Sequence, residues 1–71
     1  MNTYEITMFD VGGNKRVALL DATNVDAARE MLVQAFAEQN GLLIDNNGNL
    51  YPLSNMSLIK NPVLMSNNEN V

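Results

Sequence analysis

Residues 3–21 read TYEITMFDVGGNKRVALLD, two strand-like runs joined at a pair of glycines. In the first run Tyr4, Ile6 and Met8 alternate with more polar residues, which is the period of two expected for a strand with one wet face. Paired glycines take the positive φ angles that hairpin turns need. The stretch therefore predicts a β-hairpin with Tyr4, Ile6 and Met8 on one face of its first strand.

The second run, residues 15–21, carries apolar side chains on both of its faces. Val17 and Leu19 share one face, and Ala18 and Leu20 share the other. A strand that is apolar on both faces is typical of a central position in a sheet. We expect the face with Val17 and Leu19 to point into the core.

A helix is predicted after this hairpin. Thr23 and Asp26 have the spacing of a capping box, and Asn40 with Gly41 is a helix stop signal. Between these signals apolar residues recur at the helical period and form one stripe that suits packing on a sheet. The stripe consists of Val25, Ala28, Met31, Leu32, Ala35 and Phe36.

A second hairpin is predicted further along. Residues 42–44 are a short apolar run, and Asn47 with Gly48 is among the strongest short hairpin signals. The return run, residues 50–53, contains Pro52. Because proline cannot donate to a sheet ladder, this strand is expected at an edge or at a bulge.

The remaining residues complete the predicted fold. Residues 56–60 are either a fifth short strand or one helical turn, and residues 63–65 are a brief extended segment. The element order is β-β-α-β-β with this possible fifth strand, and the simplest packing is an α+β fold, a small antiparallel sheet with one helix on one face. Residues 1–65 form a single small domain, and residues 66–71 form a flexible polar tail. The predicted core consists of Ile6, Met8, Val17, Leu19, Ala28, Met31, Leu32, Ala35, Phe36, Leu42 and Ile44.

The composition of the 71-residue chain argues against disulfides, a zinc site and direct binding to nucleic acid. There is no Cys and no His, so disulfides are impossible and a zinc site is disfavoured. Small domains usually need an additional source of stability, such as a disulfide, a metal ion or a second subunit. Self-association is the source that remains for this chain, so we expect a homodimer. The net charge is −4, and only Lys15 and Arg16 adjoin among the bases, which disfavours direct binding to nucleic acid.

Membrane insertion is also disfavoured. The longest apolar run, residues 17–20, has four residues, far fewer than a membrane span requires. The first residues lack the charged and apolar regions of a signal peptide. We expect no membrane partner and a cytoplasmic location, in the producing or the host cell.

Motif-like stretches lack the residues that their chemistry requires. Counted from Asp45, an EF-hand loop needs Gly at its sixth position and Glu at its twelfth, where the chain has Leu50 and Met56. A phosphate loop needs Gly-Lys-Ser/Thr and a helix, but a strand is predicted after the glycine pair. Without His, no base is placed beside a Ser or Thr nucleophile. We therefore predict no enzyme, no catalytic residue, no cofactor and no metal.

Candidate interface residues are apolar side chains that the predicted packing leaves uncovered. One helix covers only one face of a sheet, so the other face needs a second cover, either residues 56–59 or a second subunit. Met is an adaptable contact at binding surfaces, and two Met residues fall late in the chain. The candidates are Phe9, Leu20, Val33, Leu43, Met56 and Met65.

In size, absence of Cys, its twelve Asn residues and strand–strand–helix–strand order, the chain resembles small proteins of bacterial viruses and mobile elements. The resemblance implies a protein that binds one host protein and blocks it, and it transfers no residue roles. We predict a non-catalytic protein-binding module, such as an inhibitor of a host or defence protein. The alternatives are a structural or self-assembly protein, an acidic nucleic-acid mimic, and a small-ligand binder with a groove between sheet and helix.

Overall fold

The computed structural model of the chain describes residues 1–67. Its elements are β1 (Asn2–Asp10), β2 (Lys15–Ala22), α1 (Val25–Glu38), β3 (Leu42–Ile44), β4 (Leu50–Pro52), a 3₁₀ turn (Leu53–Asn55), β5 (Met56–Ile59) and β6 (Val63–Asn67). The predicted α+β class, its helix and its two hairpins are confirmed. Residues 56–59 are a strand, preceded by the 3₁₀ turn. The last strand extends two residues into the predicted tail, and residues 68–71 lie outside the described part of the chain.

The main sheet is built around β1, and all of its pairings are antiparallel. On one side β1 pairs with β2 along its whole length, so the expected central position of β2 was wrong and β1 is the central strand. On the other side β5 pairs with the end of β1 around Phe9, and β6 pairs with its beginning around Tyr4. The two late strands therefore lie end to end along one edge of β1. A separate two-stranded sheet is formed by β3 and β4.

The core lies between one face of the main sheet and the helix. The register of the first hairpin places Tyr4 opposite Leu20 and Ile6 opposite Ala18, so these side chains share a face. Helix α1 packs on that side through three buried residues. The buried apolar residues are Tyr4, Ile6, Met8, Ala18, Leu20, Ala22, Ala28, Leu32, Ala35, Leu43 and Leu53.

The prediction of which β2 face points inward was wrong. Val17 is 38% exposed and Leu19 is half-buried, whereas Leu20 is 1% exposed. The reason is the register, because Val17 lies opposite Thr7 and Leu19 opposite Glu5, on the polar face of β1. Since side chains alternate strictly along a strand, one register decides every position.

Two predictions on the helix were also wrong. Met31 is 37% exposed and Phe36 is 50% exposed, although both lie on the predicted apolar stripe. The buried helix residues Ala28 and Ala35 face a strand that itself contributes buried alanines. Small side chains on both sides allow the helix axis to approach the sheet closely, so the long side chains at the flanks of the stripe stay outside the contact.

The short strand β3 was assigned with the wrong inward face as well. Leu43 is 3% exposed, while Leu42 is half-buried and Ile44 is 54% exposed. Three residues are too few to show an alternation, and tertiary packing against α1 and the 3₁₀ turn selects Leu43.

The helix begins one residue later than the predicted capping box. Asn24 is the N-cap, and its Oδ1 accepts a hydrogen bond from the N–H of Ala27 at 2.8 Å. Asn is among the preferred N-cap residues because its short side chain reaches the first free N–H groups. The predicted stop is confirmed, since Gly41 has φ 75° and donates its N–H to the oxygen of Ala35.

The first hairpin turn is built on one carboxylate. Oδ1 of Asp10 accepts hydrogen bonds from the N–H of Gly12 at 2.9 Å and of Asn14 at 2.8 Å. Gly13 has φ 83°, a backbone conformation that glycine adopts without strain. These hydrogen bonds lower the pKa of Asp10, first through Asn14, against a smaller opposing effect of burial.

The second hairpin turn has the same construction over five residues, 45–49. Oδ1 of Asp45 accepts from the N–H of Asn47 at 3.0 Å and of Asn49 at 2.9 Å, and Gly48 has φ 79°. The predicted hairpin with positive φ at Gly48 is confirmed. Both turns follow the sequence Asp-x-x-Gly-Asn.

Candidate functional site

One edge of the main sheet, the outer edge of β2, is closed by the second hairpin. The N–H of Asn46 donates to the oxygen of Leu19 at 2.8 Å, and the N–H of Asp21 donates to Oδ1 of Asn46 at 3.0 Å. Asn46 also donates from Nδ2 to Oδ1 of Asp21 at 2.9 Å. An edge strand whose outward backbone groups are bonded in this way offers little to an added strand.

Two further side chains complete this closure. The hydroxyl of Tyr51 donates to the oxygen of Val17 at 2.8 Å, and Oδ2 of Asp45 lies 3.5 Å from the donating N–H of Leu19. Burial raises the pKa of Asp45, but the N–H groups of Asn49, Asn47 and Leu19 outweigh it and the pKa is lowered. The pKa of Tyr51 is raised by burial and by the Asp45 charge.

The face of the main sheet that points away from α1 has no such cover. Helix α1 contacts β2, β3 and the 3₁₀ turn, and no described helix or strand packs on the opposite face. Five apolar residues lie on that face, and we call them the open face. They are Phe9, Val17, Leu19, Leu58 and Val63.

The open face is continuous across three strand rows. Phe9 lies opposite Leu58, while Glu5 lies between Leu19 on one side and Val63 on the other. Leu58 is 51% exposed and Val63 is 60% exposed. Neighbours on one sheet face are close enough to touch, so these side chains form one patch, whose central row also carries Glu5 and Thr7.

The six residues predicted as an interface do not form one surface. Leu20 and Leu43 are buried, so the prediction that they lie on an uncovered second face was wrong. The cause is the inverted alternation of β2 and β3. Met56 is half-buried and packs against the core.

The other three predicted residues are accessible but separated. Phe9 is on the open face, Val33 is 52% exposed on α1, and Met65 is 56% exposed on β6. Only Phe9 coincides with the open face. Four of its members were missed. The hairpin register locates Val17 and Leu19, which it aligns with the polar side of β1, whereas Leu58 and Val63 are placed by the long-range pairings of β5 and β6.

A groove of about 620 Å³ lies between the ends of β2 and β4. Lys15, Arg16, Asn49, Tyr51 and Pro52 are among its lining residues. It holds two of the four bases of the chain, but Arg16 lies 3.4 Å from the carboxylate of Asp10 and is partly neutralised by it.

The predicted groove between sheet and helix is smaller than the groove beside β2 and β4. A cavity of about 240 Å³ lies between α1 and β3, lined by Met31, Gln34, Gln39, Leu43 and Ile44. Ligand pockets are usually about 300–1,000 Å³, so this cavity falls below the common range. Within residues 1–67, no group of three or more acidic side chains is placed to hold a metal ion. No helix of the described region is long and apolar enough to cross a membrane.

Comparison of the chain with known family models, curated proteins and solved structures finds no match. The functional proposal therefore depends on the geometry of the open face and on the charge of the chain.

Proposed function

We propose that the chain is a non-catalytic protein-binding module, and that it binds its partner through the open face. The observation that carries this proposal is a sheet face with five aligned apolar residues that no described element covers. Exposed apolar patches with polar surroundings on small soluble proteins commonly mark interaction sites.

The shape of the open face favours a protein over a small molecule. Small-molecule sites are concave and bury most of the ligand, whereas an antiparallel sheet face is broad and gently twisted. Its make-up also resembles an interface, with an aromatic residue, Phe9, beside the aliphatic Leu58 and a polar margin that includes Lys15. Lys15 and Asp21 stand at the two ends of that margin.

The charge of the chain favours a protein partner with a basic rim. Eight acids against four bases give −4, which repels phosphate backbones and steers a positively charged protein surface towards the chain. On the open face itself Glu5 is the central acid, so a row of carboxylates that would imitate DNA is lacking there. The chain has no Cys, which suits the reducing cytoplasm as the place of binding.

The proposal is tested by immobilising the chain and its variants and measuring the amount of partner protein that co-purifies with each. The test variant is Leu58→Glu, which puts a charge on the open face, and the matched control is Val33→Glu on the helix. The two side chains are equally exposed, at 51% and 52%. We expect one protein to bind the wild type and Val33→Glu in stoichiometric amount, and binding to Leu58→Glu to be at least tenfold weaker, since a buried unpaired charge costs several kcal/mol.

Loss of binding with Val33→Glu and its retention with Leu58→Glu would place the interface on the helix. Absence of any stoichiometric partner would overturn the proposal. An inhibitor of a host protein is one form of such a module, and the activity of the captured partner with and without the chain tests it.

A further inference from the structure

The two long edges of the main sheet differ in how they are protected. The β2 edge is closed by Asn46, Asp45 and Tyr51. Along the opposite edge, no strand in residues 1–67 pairs with the outer side of β5 or β6. An unpaired edge exposes a row of N–H and C=O groups, and these are a template for another strand.

The alternation of hydrogen bonds shows which residue of β6 points outward. Leu19 of β2 bonds to the loop beyond the edge, so the even-numbered residues of β2 bond to β1. Their partners in β1 are also even-numbered, as with Ile6 opposite Ala18. Odd-numbered residues of β1 therefore bond to the other side, and the oxygen of Thr7 accepts from the N–H of Lys60 at 2.9 Å.

Applied to β6, this alternation identifies Leu64. Val63 lies opposite Glu5, an odd-numbered residue, so its backbone groups bond to β1. Leu64 comes next, opposite Tyr4, and its N–H and C=O point to the open edge. Met65 is the extra residue of a bulge, which bends the strand beyond it.

This edge lacks the charges that usually protect an exposed strand. Residues 61–68 contain no charged side chain, whereas edge strands are commonly protected by Lys or by other charges. Its apolar side chains are accessible, since Val63 is 60% exposed, Leu64 is 54% exposed and Met65 is 56% exposed. Pro62 precedes the strand and is buried, so it limits pairing to the residues after it.

We propose that a second copy of the chain adds to β6, antiparallel, with a two-fold axis that passes beside Leu64. The N–H and C=O of each Leu64 then bond to Leu64 of the other copy, and the two leucine side chains stand side by side on the helix side of the sheet. Because β6 is uncharged, the β6 strands of two copies can pair without electrostatic repulsion between them, although each chain carries a net charge of −4. In a second copy the two-fold axis satisfies both outward groups of Leu64 at once, because each N–H meets the C=O of the other Leu64.

The dimer would also enlarge the binding surface of the proposed function. β1 has nine residues and is therefore about 30 Å long, and three strand rows are about 14 Å wide, which gives a planar area of about 400 Å². A standard interface buries about 800 Å² on each partner. Because a two-fold axis perpendicular to the sheet keeps both open faces on one side, two copies reach that size.

Sedimentation and amide exchange of the full chain, without any partner, test the inference. We expect the wild type to sediment at twice 7.8 kDa when its concentration is raised from micromolar to millimolar, because a short edge contact is a weak interface. The amide of Leu64 should exchange more slowly as the dimer forms, and dilution should reverse this.

Leu64→Pro removes the outward N–H without removing a bond to β1, and it should stay monomeric. Leu64→Ala keeps the N–H and should still dimerise, with a dissociation constant raised by about thirtyfold at most, since the dimer loses two partly exposed leucine side chains that contribute about fivefold each. A monomeric wild type would overturn the inference, whether its Leu64 amide is fast or is protected by the end of the same chain. A dimer with a rapidly exchanging Leu64 amide would overturn it too. If Leu64→Pro fails to fold, the exchange rate of the Leu64 amide in the wild type still tests the inference.

Partner binding is measured separately with Leu58→Glu, so failure of the dimer leaves the binding proposal standing.

Discussion

Two aspartates determine the geometry of both hairpins. In each turn one carboxylate oxygen accepts two backbone N–H groups, from Gly12 and Asn14 for Asp10 and from Asn47 and Asn49 for Asp45. A carboxylate that accepts several N–H bonds favours its charged form. The local sequence Asp-x-x-Gly-Asn therefore carries both the turn and its dependence on pH.

The first prediction concerns that dependence. Because the pKa of Asp45 is lowered in the folded chain, its stabilising effect is complete above the unfolded pKa of about 3.9 and is lost as the pH falls through the folded pKa. The denaturant midpoint should therefore fall on acidification from about pH 7 to about pH 3. Asp45→Asn keeps an oxygen acceptor but not the charge, so it should be less stable at neutral pH and should lose less on acidification. An acid dependence equal to that of the wild type would contradict this role of Asp45.

A second prediction concerns the glycine of the same turn. Gly48 has φ 79°, and a β-branched residue is strained in that region by about 1–3 kcal/mol. Gly48→Val should lower the free energy of unfolding by that amount. The control is Gly12→Ala, at a glycine without positive φ, where an added Cβ meets its nearest neighbours at 3.4 Å. Equal midpoints for the two variants in chemical denaturation would argue against strain at Gly48.

At the level of elements, the hairpin register decides which face of β2 is buried. The turn bonds Asp10 to Asn14, so Phe9 pairs with Lys15 and Ile6 pairs with Ala18. The sequence shows the same Asp-x-x-Gly-Asn pattern at both turns. From the pattern alone, the register of each hairpin, and with it the inward face of β2, is predictable.

A comparison of two adjacent leucines tests this register. Leu20 is 1% exposed in the core, while Leu19 is half-buried on the open face. Leu20→Ala should cost about 2–5 kcal/mol because it leaves a cavity. Leu19→Ala should cost about 1 kcal/mol, the average for a point mutation. Equilibrium urea unfolding of both variants measures the difference, and a larger cost at Leu19 would reverse the assigned face.

Other parts of the fold were less accessible to sequence reasoning. The helix and both hairpins follow from periodicity and turn residues, but the exposure of Phe36 depends on which part of the apolar stripe contacts the sheet, where Ala28 and Ala35 are buried. The place of β5 and β6 along one edge of β1 depends on contacts between distant parts of the chain. The β5 and β6 part of the open face could not be predicted for this reason, since Leu58 joins Phe9 only through the long-range pairing of β5 with β1.

At the scale of the whole molecule, a small core is combined with a large accessible apolar surface. Folded chains of this size bury only about 60% of their unfolded surface. Val11, Val33, Phe36 and Leu64 are each at least half exposed. Covering part of this surface through association adds stability that the isolated chain lacks.

The last prediction follows from that coupling. If folding and pairing at β6 are linked, the thermal midpoint of the wild type should rise with protein concentration above the dissociation constant, because association favours the folded chain. Each tenfold increase in concentration corresponds to about 1.4 kcal/mol per dimer. Leu64→Pro should unfold at one midpoint at every concentration, and Val33→Glu should keep the wild-type dependence since the helix is outside the pairing edge. Calorimetry over a range of concentrations measures all three, and a wild-type midpoint that stays constant would show that folding of the chain is not coupled to a second copy.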